Sequence, residues 1–467
     1  MKVYDLAEKK ETDLGSGLNY VISSNGKKML ASQKGKYEVI NLPSGPIKIT
    51  KPMDLSGMKM SVNLKEEWAQ IFDESWRQMR DFFYAPNMHG VDWEAMREKY
   101  GVLVPYVAHR SDLSYIIGEL VGELNVGHAY VNNGERPMPK RIPMGLLGAK
   151  LTKDDSGYFK IERILDGANW SNTLRSPLKD IGVNVNEGEY IIAVNGKSTK
   201  EVKDIFSLFV NQAEKEIMLE INSNPTTEGS RTVLVKPISN ESSLYYYNWV
   251  ESNIKYTNEK TNGDVGYIHI PDMGVGGLNE FVRHFYPQLN KKGLIIDVRG
   301  NGGGNVSPMI IERLMRKLTY LNYSTGQSEG STSPSGMHLG PKVTLMDKYS
   351  ASDGDLFPYR FQQLDLGKTI GTRSWGGVVG YSGAQPLIDG GSLITPSFGP
   401  YDKDGSRFVI EGEGVTPGIL IENDPAKLYK GEDAQLNKAI EEILKDIEVW
   451  KEKITPIPPF PDKSGKK

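Results

Sequence analysis

Two stretches of this sequence combine residue types that chemistry can use. The first, Arg299-Gly300-Asn301-Gly302-Gly303-Gly304-Asn305, follows the apolar run 294–298 and leads into a helical pattern. Glycines let a backbone approach a ligand closely, and a helix start offers unpaired N–H donors. Such a loop suits an oxyanion hole, a phosphate cradle or a plain tight turn. This loop has neither G-K-[ST] nor G-x-G-x-x-G spacing, which weighs against phosphate. The second stretch, Asp347-Lys348-Tyr349-Ser350-Ala351-Ser352-Asp353-Gly354-Asp355, follows an apolar run at 342–346 and also enters a helical pattern. Ser352 reads as a nucleophile at a helix start or as an ordinary N-cap, and residue types alone leave both open. In open α/β sheets ligands gather at the carboxyl ends of the strands, so the two loops are expected to face one another.

A serine hydroxyl attacks an amide only with a base in hydrogen-bond reach. The chain has no cysteine, which excludes thiol catalysis, disulfides, iron–sulfur clusters and cysteine zinc sites. Its six histidines (His89, His109, His128, His269, His284, His338) show no H-E-x-x-H or other dense ligand pattern, so a zinc hydrolase is not expected, and a serine hydrolase needs no metal or organic cofactor. Only His128 ends an apolar helical run and precedes a short strand-like piece, Ala129-Tyr130-Val131. The same place suits a histidine that merely meets the terminal carbonyls of a helix. Lys+Arg 56 against Asp+Glu 59 leaves a formal charge of -3, so no basic field recommends nucleic acid or an anionic membrane. No apolar run of about 18 residues predicts a membrane span, and the start at Met1 lacks a signal-peptide core.

The elements that must position these loops follow from periodicity. At roughly 100–200 residues per domain, 467 residues predict two to four domains. Residues 1–45 alternate strand-like pieces (19–23, 28–32, 37–41) with turns, and read as N-terminal hairpins or a partial β-propeller blade. Residues 46–138 are helical: Trp68, Ile71, Trp76, Met79 and Phe83 share one face, and a second helix starts at Ser111 as N-cap and stops near Gly127. Residues 139–237 hold five short strands (145–151, 159–164, 190–194, 217–221, 232–235) and one helix, 202–212. Residues 238–453 alternate strands (264–270, 293–298, 342–346) with helices (306–318, 353–364, and an amphipathic one through Leu436, Ile440 and Ile443). The segment 324–336 reads as a surface loop and 454–467 as an extended tail. The fold class is thus multidomain α+β and α/β.

The order of elements in 139–237 resembles a PDZ domain. Gly145-Leu146-Leu147-Gly148 stands where such domains take a peptide C-terminus, and Glu189–Gly196 matches a later strand and turn. That geometry implies peptide binding by strand addition; a purely structural barrel is the alternative. Further runs resemble the tricorn-type serine peptidases: Ile295–Gly304, Ser350–Asp355, Ile370–Gly380 and Glu411-Gly412-Glu413-Gly414-Val415-Thr416-Pro417. Arg80-Asp81-Phe82-Phe83-Tyr84, Met88–Trp93 and Gly127-His128-Ala129-Tyr130 fit the same family's helical domain, so the likeness extends from about 60 to 450.

The resemblance implies a peptidase whose architecture is a β-propeller pair, a helical half-domain, a PDZ domain and a crotonase-like (ClpP/crotonase) α/β half-domain, with this chain as the catalytic end. It implies Ser352 as nucleophile, His128 as general base, and the amides of Gly304 and Asp353 as oxyanion hole. Glu411 would orient the histidine, with Glu413 as the competing carboxylate. Related carboxy-terminal processing peptidases use a lysine base near the place held here by Arg373, which stays protonated and cannot accept a proton. The family commonly has a serine before the histidine, linking it to the carboxylate; here that residue is Gly127. The segment that sets specificity offers only Asn322, which favours small or apolar side chains before the cut. Peptide substrates, a homo-hexamer and the cytoplasm are implied, the periplasm staying open if the parent chain is exported. The alternatives are an inactive peptide-binding scaffold, motivated by Gly127, and a crotonase-like small-ligand binder.

Overall fold

The N-terminal alternation forms sheet as its period predicts. Asn19–Ile22, Lys28–Gln33 and Lys36–Asn41 make a three-stranded antiparallel sheet, beside a hairpin of Lys2–Asp5 and Lys10–Asp13. Leu14, Met29, Ala31 and Ile47 are its buried residues. These features come from a computed structural model, which describes residues 1–134, 136, 138–450 and 456–465. The chain divides into two units, Met1–Glu67 and Trp68–Lys467. Of the expected tail, residues 454, 455, 466 and 467 lie outside the described residues, and 456–465 are neither helix nor strand. Among the described residues no helix is long and apolar enough to cross a membrane, and no cluster of His, Cys, Asp or Glu is arranged to hold a metal ion.

The larger unit opens within the helix Leu64–Phe82, which buries Trp68, Ile71, Phe72, Trp76 and Met79, one face of a 3.6-residue period. Trp76 Nε1 donates to the carbonyl of Trp93 at 2.8 Å, and Trp93 Nε1 donates back to that of Trp76 at 3.1 Å. Both indoles are buried with their donors satisfied. The second helix runs Arg110–Gly122, and its N-cap is His109 rather than Ser111. The Asp112 carboxylate accepts the His109 N–H at 3.2 Å, moving the start by two residues.

The middle region is a six-stranded antiparallel sheet with strands at Ala149–Lys153, Phe159–Ile164, Tyr190–Val194, Lys197–Ser198, Ile217–Asn222 and Arg231–Val235. Ala149–Lys153 is one edge of it. The expected helix 202–212 is not formed; two 3-10 turns, Thr199–Glu201 and Ile205–Phe209, stand there instead. Ile205 and Phe209 are buried at helical spacing, which is why the pattern misleads. Asp204 takes the Phe206 N–H at 2.9 Å and the Ser207 hydroxyl donates to the Asp204 carbonyl at 2.7 Å, so short polar side chains supply local alternatives to helical bonds.

The C-terminal region is a parallel sheet in chain order: Val265–His269, Gly293–Asp297, Lys342–Met346, Lys368–Gly371 and Ile419–Leu420. Phe281, Phe285, Ile310, Phe357 and Phe361 belong to the core on one side, and Leu436, Ala439, Ile440 and Ile443 to that on the other. A sheet covered on both faces needs the continuous apolar strand seen at Gly293–Asp297, all five residues buried. The segment 324–336 is not wholly loop, since Ser331–Ser333 pairs with Tyr320–Asn322.

Where Gly293–Asp297 ends, Asp297 is fully buried and Arg299 nearly so. Arg299 donates to Asp297 at 2.6 Å and to Asp433 at 2.8 Å, and the Tyr267 hydroxyl donates to Asp297 at 2.7 Å. This network fixes the strand end that launches the glycine loop. Replacing Arg299 by methionine leaves a buried carboxylate unpaired, and the expected cost is about 3–5 kcal/mol, read as a lower denaturation midpoint in urea.

The helical and α/β parts of this unit are stitched together by a segment of the latter. Ser392–Ile394 pairs with Tyr130–Asn132, Leu387 and Leu393 enter the helical core, and Arg110 meets Asp389 at 2.5 Å with both side chains 4% exposed. His128 sits two residues before the start of that shared strand.

Candidate active site

The glycine loop and the serine loop interlock. The Ala351 N–H donates to the Asn301 carbonyl at 2.8 Å, and Ser350 Oγ to that of Val298 at 2.8 Å. Gly303 (φ +100°) lies so close to the nucleophile candidate that a Cβ there would stand 2.6 Å from Ser352 Cβ and 3.1 Å from the Asp353 nitrogen. Only glycine fits. Its own N–H donates to Asn301 Oδ1 at 2.9 Å, whereas among the described residues no acceptor is bonded to the N–H of Gly304 or Asp353. The Asp353 side chain accepts from Ser307 N at 2.8 Å and Ser307 Oγ at 2.5 Å, which joins the starts of helices Ser307–Leu314 and Asp353–Gln363.

Ser352 itself has φ 60° and ψ -122°, a conformation that costs a non-glycine residue about 1–3 kcal/mol. Its N–H donates to Asp355 Oδ2 at 2.7 Å. Asp355 is fully buried, and its other oxygen accepts the Gly376 N–H at 2.8 Å. Burial pushes its carboxyl above the ordinary value, against hydrogen bonds from Ser374, Gly376 and Ser352 that favour the charged form.

Two residues on, the same 374–379 loop reaches the histidine. Val378 N and Val379 N donate to Glu411 Oε2 at 2.7 and 2.8 Å, and Gly127 N donates to Glu411 Oε1 at 2.6 Å. Glu411 therefore grips the backbone next to His128 rather than its ring, and His128 Nδ1 is buried with no hydrogen-bond partner. Burial lowers the His128 pKa, and the charge of Glu411 opposes that only in part. Glu413 is elsewhere: its carboxylate pairs with Arg407 at 2.7 Å and is 62% exposed. Arg373 Nη1 donates to the Glu413 carbonyl at 2.6 Å.

The segments that carry Ser352 and Asp353, and His128, are thus linked through Asp355, Glu411 and one loop, while Gly304 follows the glycine that packs on Ser352. Asp355, read from sequence only as part of a helix start, and Trp375 are the linking residues that spacing did not reveal. Asn322 is not joined to them; it lies exposed on the ribbon of Tyr320–Asn322. The peptide loop is engaged within its own domain. Gly145 N–H donates to the Phe209 carbonyl at 2.9 Å, Leu146 N–H to that of Ile238 at 2.8 Å, and Gly148 N–H to Glu241 Oε2 at 3.2 Å. Three of the four amides of Gly145–Gly148 thus have partners within the fold, and Leu147 is 3% exposed.

Three known families match successive parts of the chain. The descriptions "Tricorn protease C1 domain", "Tricorn protease PDZ domain" and "Peptidase family S41" match residues 64–122, 145–240 and 264–421. The tricorn protease of Thermoplasma volcanium is 34% identical over 456 residues, 96% of this chain and 43% of that protein. A putative tricorn-like protease C-terminal subunit of Sulfurisphaera tokodaii is 36% identical over 399 residues, covering 85% of this chain and 45% of that one. The crystal structure of the tricorn protease matches with a TM-score of 0.87 at 30% identity, over 96% of this chain and 43% of that chain. The chain spans less than half the length of these relatives.

Proposed function

The chain belongs to the tricorn family of serine peptidases, and from that premise we propose that it hydrolyses peptide bonds in oligopeptides or unfolded chains. Ser352 attacks the carbonyl carbon, and His128 Nε2 takes its proton and returns it to the leaving amine. The unpaired amides of Gly304 and Asp353 stabilise the oxyanion. The observation that carries this reading is the 374–379 loop. Its amides bind Asp355 on the Ser352 side and Glu411 on the His128 side, so one loop holds the carboxylates next to both residues.

The test is a serine-directed fluorophosphonate with mass spectrometry of the adduct. Labelling at Ser352 supports the peptidase; no adduct, where a control peptidase reacts, overturns it. A catalytically weakened peptide-binding scaffold is the second reading, favoured by the unpartnered Nδ1 of His128, and it predicts the unlabelled outcome.

Glu411 is the orienting carboxylate in this reading. Three N–H donors converge on its two oxygens, so a glutamine must aim its NH2 at one of them. Glu411→Gln is expected to lower kcat by about 10²-fold through displacement of His128. Glu413→Gln, at an exposed ion pair, should leave peptide turnover unchanged.

The parallel half is read as crotonase-like and residues 1–45 as part of a propeller. The divisions near 138 and 237 separate helical half, PDZ module and catalytic half. An extended substrate would add along the open edge of Ala149–Lys153, with Asn322 near the residue before the cut. Hexameric assembly and a cytoplasmic site complete the proposal, checked by sedimentation and cell fractionation of the parent protein.

A further inference from the structure

The imidazole of His128 has neighbours for which the proposed chemistry gives no role. Three half-exposed rings surround it: Tyr381 at 5.9 Å between centroids, Trp375 at 6.0 Å and Tyr130 at 6.1 Å, the last two edge-on. We propose that this aromatic enclosure, anchored by Trp375, orients the imidazole in place of a hydrogen bond to Nδ1, so that Nε2 is presented to Ser352. The proposal rests on His128 being the base.

Trp375 is built into both sides of the site. Its N–H donates to the Ser350 carbonyl at 3.0 Å, two residues before the nucleophile. Its indole covers Gly377, where a Cβ would fall 2.1 Å from Cζ3, so residue 377 must be glycine for the ring to lie there. The far edge of the indole, Cη2, is 3.6 Å from where a Cβ on Gly127 would stand. One residue, through its backbone amide and its indole, therefore links the serine loop to the residue before His128. Edge-to-face contact with a ring's negative face is directional, unlike general apolar packing. A ring with no bond at Nδ1 depends on such contacts for its tilt. The titratable groups facing the imidazole are Glu411, Tyr130 and Tyr381, and the carboxylate is engaged by backbone amides.

Trp375→Leu, Trp375→Phe and Tyr381→Leu test this, read by peptide kinetics, by the pH profile of kcat, and by NMR titration of the His128 Cε1–H resonance. That resonance is assigned by its loss in His128→Ala. In Trp375→Leu we expect kcat to fall on the order of 10- to 100-fold with KM within about twofold. The His128 midpoint should rise as water reaches the ring, and the acid limb of kcat should move with it. Trp375→Phe should retain most of kcat. Should Trp375→Leu not fold, Tyr381→Leu carries the same test, since its ring anchors no loop. An unchanged kcat, or equal losses in the Leu and Phe variants with the His128 titration unmoved, overturns the proposal. Full activity of His128→Ala is a separate result, which would overturn the base assignment beneath it.

Discussion

Ser352→Ala lowers peptide turnover by about 10⁴- to 10⁶-fold and abolishes the fluorophosphonate adduct, while the fold persists. The size follows from the division of labour. The hydroxyl forms the bond to substrate, and without it only binding and the amides of Gly304 and Asp353 remain. The fold persists because what holds this turn is backbone: Ser352 N–H to Asp355, and Ala351 N–H to Asn301. A second variant separates chemistry from stability. Ser352 is held at φ 60°, a region glycine enters freely. Ser352→Gly is therefore expected to be inactive yet more stable than the wild type, by about 1 kcal/mol in urea unfolding. A Ser352→Ala protein that still hydrolysed peptides at near the wild-type rate would remove the nucleophile assignment altogether.

His128→Ala is expected to lower kcat by about 10⁴-fold, because it removes the group proposed to take the serine proton. Its pH dependence carries more information than its size. Burial disfavours the imidazolium, so the folded pKa lies below the ordinary histidine value of about 6.5. The neutral, proton-accepting form thus dominates at neutral pH and is lost only as pH falls through that depressed value. Wild-type kcat should be flat across neutrality and decline on an acid limb below the ordinary histidine midpoint. The residual activity of His128→Ala should lack that limb. A wild-type limb above the ordinary midpoint would mean that the carboxylate of Glu411 outweighs burial, and that Glu411 contacts the ring in the working enzyme.

Much of the scaffold was legible because local patterns and local torsions share a cause. The almost wholly apolar run at Gly293–Asp297 had to be a doubly covered strand. The glycines that follow had to permit close approach, as Gly303 against Ser352 does. Local reasoning failed where two local solutions compete. Ile205 and Phe209 sit at helical spacing, but Asp204 and Ser207 bond their own backbone and the segment stays in a 3-10 turn. His109, not Ser111, starts its helix because Asp112 reaches back to it.

The sequence by itself determined the chemical vocabulary of this protein. With no cysteine and no clustered metal ligands, a hydroxyl in Ser350–Asp355 beside Gly302-Gly303-Gly304 was the nucleophile to consider, and Arg373 could not serve as a base. Only the tertiary structure decided which groups are free to act. Glu411 rather than Glu413 meets the histidine loop because the Gly127 amide, 284 residues away in sequence, closes on its carboxylate. Gly145–Gly148 has the residues of a peptide-binding loop, and Phe209, Ile238 and Glu241 take three of its four amides. The physical reason is the same in both cases. Residue type sets what a backbone or side chain can donate, accept or adopt, while the partner that takes each donor arrives from a distant part of the chain and is visible only once the layers have packed.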